Sequence, residues 1–107
     1  MNDLMIEKTR MISLYDYYKN LLTDHQKKIF ESYYLFDFSL GEIAETEMVS
    51  RNAVWDTLRK VNKILDDYET KLGLLKNNLE CDKLLDELFN HVDDSGKVIL
   101  AKLKERE

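Results

Sequence analysis

At 107 residues, 44% of them hydrophobic, the chain is long enough to bury one core and too short to be expected to build two. A net charge of −5 argues against tight non-specific binding to nucleic acid by a single copy, and apolar runs only a few residues long exclude a membrane span, which needs roughly 18 to 20. One cysteine, Cys81, excludes an intrachain disulfide, and His25 and His91 stand too far apart to begin a metal site.

The chain has no proline and three glycines, with abundant Leu, Glu, Lys and Met, residues that lose little by being helical. The expectation is therefore one all-α domain over 1–107, with no cofactor. Met1 is not followed by a basic stretch and apolar core, so the protein is expected to stay in the cytoplasm.

In chain order, Leu4, Met11, Leu14, Tyr15, Tyr18, Leu21 and Leu22 recur three or four residues apart, which predicts a first helix over 4–22. Thr23 with Gln26 forms a capping-box pair that opens a second helix carrying Ile29, Phe30, Tyr33 and Tyr34 inward. The run YYLFDF then breaks the helical period, and Ser39 with Glu42 is a second capping box, opening a short third helix. Ser50 offers a further N-cap about eleven residues on, so a short helix, a tight turn and a new helix follow one another over 39–63.

From Ser50 onward, Val54, Leu58, Val61, Leu65, Tyr68, Leu72 and Leu75 alternate four and three apart, a heptad seam on a helix of about 25 residues. Its second half outruns the small core and needs a partner, supplied by the C-terminal segment or by a second copy of the chain. Residues 78–107 read as a helical extension. Leu79, Leu84, Leu85, Leu88 and Phe89 mark one amphipathic helix, HVDDSGK a turn and cap, and Val98, Ile99 and Leu103 another helix with a fraying end. Cys81 reads as a small buried or half-buried thiol.

A helix-turn-helix needs a small residue where its two helices cross and apolar residues wedged between them. Ala44 suits the first role and Leu40, Ile43, Val49, Val54 and Leu58 the second. The turn usually contains a residue with positive φ, most often glycine; here Met48 holds that position, so either the turn differs slightly or the protein tolerates a left-handed residue at a cost on the order of 1 kcal/mol. The outward face of the following helix offers Ser50 as its cap and Arg51, Asn52, Trp55, Arg59, Lys60 and Lys63 as candidate nucleic-acid contacts. Arg and Asn make bidentate contacts with guanine and adenine, Trp55 can stack on an exposed base, and the later cations suit phosphates. Asp56 opposes close phosphate approach at its own position.

Charge is distributed in support of this face. Residues 1–50 hold five basic and nine acidic side chains and residues 77–107 hold five and eight, whereas residues 51–76 hold six and four. Local potential governs phosphate contact within a Debye length of about 8 Å, so an acidic chain can still carry a nucleic-acid face. Tyr15, Tyr17, Tyr18, Tyr33, Tyr34, Phe36 and Phe38 read as core, and Asp66, Asp67 and Glu69 as solvated. No phosphate loop, activated nucleophile or spaced carboxylate pair is visible, so an enzyme is not expected.

With these residues laid out, Ser39 to Val61 resembles the helix-turn-helix in region four of bacterial sigma factors. The segments IEKTRMISLYDYY, LLTDHQKKIFESYY, FSLGEIAE, VSRNAVWDTLRK and KILDDYETKL, in this order, resemble the YlxM family of small bacterial helix-turn-helix proteins. The resemblance implies a three-helical core of the winged-helix-superfamily type with a long third helix. It also implies a DNA-binding regulator associated with the signal recognition particle pathway, whose partners would be DNA or the particle's RNA, and its proteins. A homodimer is expected from the heptad seam. The alternative is an adaptor that binds a particle protein and no nucleic acid.

Overall fold

The structure, a computed structural model, describes residues 2–106, and residues 2–6 through their backbone alone. The inward role of Leu4 and the fraying at Glu107 lie outside what is described. Every regular element among the described residues is helical, and no helix is long and apolar enough to cross a membrane. Contacts divide the chain into two units, residues 1–72 and 73–107, where the sequence suggested one domain with an extension from residue 78.

The first unit contains α1 (Asn2–Tyr18), α2 (Asp24–Phe30), α3 (Leu40–Glu47) and α4 (Arg51–Leu72). A 3₁₀ turn at Lys19–Leu21 ends α1 earlier than the periodicity suggested, and leaves Leu21 exposed. Both capping boxes form. Thr23 Oγ1 accepts from the Gln26 amide at 3.1 Å and Gln26 returns to the Thr23 N–H at 3.0 Å. Ser39 and Glu42 do the same at 3.0 and 2.9 Å. Each box satisfies two N–H groups that a helix start leaves without partners.

α4 is the hub, and α1, α2 and α3 all pack on it. Ile29, Ile43, Ala44, Val54 and Leu58 form a buried cluster at its N-terminal half, flanked by Tyr33, Tyr34 and Leu40. Tyr15 stacks on Phe30 at 4.4 Å and Phe30 on Tyr34 at 4.5 Å. The Tyr15 hydroxyl donates to the Glu31 carboxylate, and burial together with that neighbouring acid pushes its pKa up.

The second half of α4 does not wait for another chain. Val61 and Leu65 are fully buried, and α1 covers them. Arg10 pairs with Asp66 at 2.7 Å, the Tyr18 hydroxyl donates to Glu69 at 2.6 Å, and Tyr18 stacks on Tyr68 at 5.9 Å. Asp66 and Glu69 therefore hold α1 in place instead of forming a solvated face. The seam also stops short of Leu75. Gly73 adopts φ 63°, a left-handed conformation that a right-handed helix cannot continue, and α4 ends at 22 residues.

The YYLFDF break has a specific form. After α2 the chain widens into a π-helical turn over Glu31–Leu35, with the Phe36 N–H bonded to the Glu31 carbonyl at 3.0 Å. Asp37 then takes φ 57° and the Phe38 N–H reaches the Ser32 carbonyl at 2.9 Å. This turn swings Phe36 and Phe38 outward, to 61% and 47% exposure, and Tyr17 lies on the open side of α1, so these three are not core.

The second unit is a helical hairpin of α5 (Leu74–Phe89) and α6 (Asp94–Glu105). Asp93 caps α6 by accepting from the Gly96 N–H at 2.9 Å. Helix persists to Glu105, through most of the segment expected to fray. Leu100 is buried, while Cys81 is exposed on the outward side of α5, contrary to the buried thiol expected.

Candidate nucleic-acid interface

The helix-turn-helix is α3, the turn Met48–Ser50, and the first half of α4. Ala44 is 6% exposed at the crossing, with Ile43, Val54 and Leu58 at 2% or less around it. Met48 has φ 58° and ψ 44°, so of the two possibilities at this position the chain keeps the left-handed turn with a non-glycine residue. Around it the Met48 N–H reaches the Glu45 carbonyl at 3.4 Å and the Val49 N–H reaches the Ala44 carbonyl at 3.0 Å, the paired bonds of a Schellman ending. That geometry reverses the chain within three residues. It places Val49 at the rim, 43% exposed, where it does not serve as part of the wedge.

Ser50 starts α4 by accepting from the Ala53 N–H at 3.0 Å. Its hydroxyl oxygen is thereby committed to the cap, so Ser50 orients the helix. The first turn of α4 carries no acidic residue, leaving the positive end of the helix dipole uncompensated there. Arg51, Asn52 and Trp55 line one shallow depression with Leu40. The Arg51 guanidinium lies back over α3, about where a side chain at Gly41 would meet its Nε at 3.5 Å. Trp55 is 46% exposed and, by its position on the helix, lies off the buried stripe of α4.

One to three turns further on, Asp56, Arg59, Lys60 and Lys63 line a second depression. Arg59 stands 3.9 Å from Asp56, both well exposed, a pairing weak enough to be exchanged for a phosphate. Arg51, Lys60 and Lys63 make no ion pair among the described residues, whereas Lys8, Arg10, Lys27, Lys28 and Lys104 all do. At about 100° per residue, positions 51, 52, 55, 59, 60 and 63 fall within one half of the helix circumference, opposite Val54, Leu58, Val61 and Leu65. The structure thus places six of the seven candidates on one side of α4, while Ser50 sits before the helix as its cap. Leu40 joins Trp55 in lining the first depression, a neighbourhood that the crossing of α3 over α4 creates and helical period along α4 does not reveal.

Comparison with known proteins agrees with this geometry. Residues 5–105 match the UPF0122 family, described as helix-turn-helix proteins like YlxM and p13. The chain is 44% identical to the UPF0122 protein lin1916 of Listeria innocua, an alignment covering 94% of this chain and 97% of that one. It is also 44% identical to a UPF0122 protein of Lactococcus lactis subsp. cremoris, over 94% and 90% of the two chains. A UPF0122 protein of Anoxybacillus flavithermus is 48% identical over 82% of this chain and 81% of its own. With the all-α helix-turn-helix in place and the match running nearly end to end, the chain belongs to the UPF0122 family of YlxM/p13-like helix-turn-helix proteins.

Proposed function

We propose that this protein is a nucleic-acid-binding regulator of the cytoplasm that reads its target with α4 and serves the signal recognition particle pathway. One observation carries the reading. A single side of α4 gathers Arg51, Asn52 and Trp55 near its start and the exposed cations Arg59, Lys60 and Lys63 beyond, on the one stretch of the chain with a basic surplus. Base-edge groups at the start and phosphate groups behind them are what a recognition helix requires. The link to the particle rests on the resemblance to YlxM. The active species in this reading is a homodimer, which offsets the small basic surplus by presenting two such helices, about 34 Å apart where duplex DNA is the target.

The test is binding of the purified protein to labelled duplex DNA and to signal recognition particle RNA at two salt concentrations, beside an Arg51→Ala/Arg59→Ala/Lys63→Ala variant. Wild-type binding is expected to weaken steeply with salt, and the variant to flatten the logarithmic salt slope by about 2 to 3 units. Absence of binding to either ligand at low salt refutes the reading. One feature favours a second reading, that of a protein adaptor: Trp55 and Leu40 form an apolar spot beside Arg51, the combination found at protein-interface hot spots. Capture of a particle protein with little salt dependence, lost on Trp55→Ala, would establish it.

A further inference from the structure

α5 carries two seams of three-and-four spacing, and the hairpin uses one. Asp82 and Leu85 are half-buried at the level where α6 packs, and Leu75 and Asn78 continue the same half-buried stripe toward the start of α5. Leu74, Asn77, Cys81, Leu84 and Leu88 follow the same spacing one position earlier, and all five are exposed. The sides of the hairpin can be told apart, because Lys104 bonds Asp86 from α6 to α5 and Lys97 sits over the Phe89 ring at 4.7 Å. At about 100° per residue, Ile99 and Leu103 of α6 fall on the side opposite those links, the same side as Leu84 and Leu88. One face of the hairpin is thus apolar and the other polar.

We infer that two copies of this chain pair through the outward seam of α5, with Ile99 and Leu103 beside it, to form a four-helix bundle. The pairing rests on the homodimer reading above and gives it a surface, distinct from the long helix α4 whose seam α1 already covers. Three observations select a second copy as the occupant. The five α5 seam positions hold no charge at all, while the segment as a whole is acidic, so the seam is self-compatible where a charged partner would gain nothing. Asn77 is its one amide, the polar residue that in a paired helical seam bonds its own counterpart and sets register.

The area also suits a pair. Leu74, Leu84, Leu88, Ile99 and Leu103 are 43, 65, 45, 61 and 47% exposed. At about 1.45 Å² per dalton of unfolded chain they present roughly 430 Å² per copy, so two copies supply about 860 Å² from these five positions alone. Rim residues bring this past the roughly 1,000 Å² that separates a specific interface from a casual contact. Among the described residues of the hairpin Leu100 is the one buried side chain, a small core for a unit of this length.

The experiment is sedimentation equilibrium of the full chain at tens of micromolar, with helicity followed by circular dichroism. Wild type is expected at twice 12.7 kDa. Leu84→Glu/Leu88→Glu is expected at the single-chain mass. Asn77→Lys changes an exposed polar position and keeps the hairpin folded; it is expected to raise the dissociation constant at least tenfold at low salt and less at high salt. Val98→Glu places the same charge on an apolar side chain 58% exposed but off this face, and is expected to stay at the two-chain mass. A single-chain wild type overturns both the surface and the homodimer. A two-chain mass for both seam variants overturns the surface and leaves the homodimer standing, and a Val98→Glu chain that dissociates equally overturns the assignment to this face.

Discussion

Replacing Met48 by glycine is expected to stabilise the protein. Met48 holds φ 58° and ψ 44°, and its side chain is 90% exposed, so the residue contributes strain and almost no packing. A non-glycine residue in this region costs about 1 to 2 kcal/mol. Glycine removes that cost but gives back about 0.4 to 1 kcal/mol by loosening the unfolded chain. The balance is a gain of about 0.5 to 1 kcal/mol, or roughly 2 to 8 °C in Tm for a unit of this size. Trp55, the chain's one tryptophan, lies in the first unit. Urea unfolding followed by its fluorescence therefore reads that unit, and an unchanged m-value shows that the gain is in stability. Met48→Ala keeps the Cβ that causes the strain and should leave the midpoint nearly where it was. Refutation takes one of two forms: Met48→Gly unfolds at lower urea than wild type, or Met48→Ala gains as much as Met48→Gly.

Two further outcomes follow from the same geometry. Leu65→Ala, at a fully buried position under α1, is expected to cost about 2 to 5 kcal/mol; a loss below 1 kcal/mol, measured by the same urea titration, would mean that α1 does not seal the second half of α4. The Glu42 carboxylate is held below the usual range by the Ser39 amide and hydroxyl at the start of α3. A depressed carboxylate stabilises the fold at every pH above its unfolded value near 4.3 and loses that contribution as pH falls through the lower folded value. The stability difference between wild type and Glu42→Gln, which keeps an amide able to close the box, should be constant from neutral pH to about 5 and shrink below 4. A difference that does not change with acid would count against the charge on Glu42 mattering.

Most of what was readable in the sequence was local. Thr23 with Gln26 and Ser39 with Glu42 announced helix starts because each box closes within one turn. Ser39 to Val61 announced the helix-turn-helix, whereas the lack of glycine at Met48 left open a different turn or a left-handed methionine, and the structure takes the second. Six of the seven candidate contact residues could be placed on one side of a helix because helical period alone arranges them, with Ser50 as the cap before it. The π turn at Glu31–Leu35 and the left-handed Asp37 had no such signal, so Phe36 and Phe38 were counted as core and proved exposed. Gly73 stood in plain sight, yet the apolar spacing continues past it to Leu75; the period says which residues share a face and not where the backbone leaves the helix.

By itself, then, the sequence determined the all-α class, the helix caps, the helix-turn-helix and the side of α4 that carries Arg51, Asn52, Trp55, Arg59, Lys60 and Lys63, because each depends on residues within a turn or two of one another. Only the tertiary structure decided what covers each face. The seam on α4 looked as though it required the C-terminal segment or a second chain, and α1 packs over it instead, with Arg10 meeting Asp66 and Tyr18 meeting Glu69, contacts between residues more than fifty positions apart. On α5, by contrast, Leu84 and Leu88 stay exposed. An apolar stripe in a sequence states that something must be buried, and which neighbour buries it is settled only when helices far apart in the chain compete for the same surface.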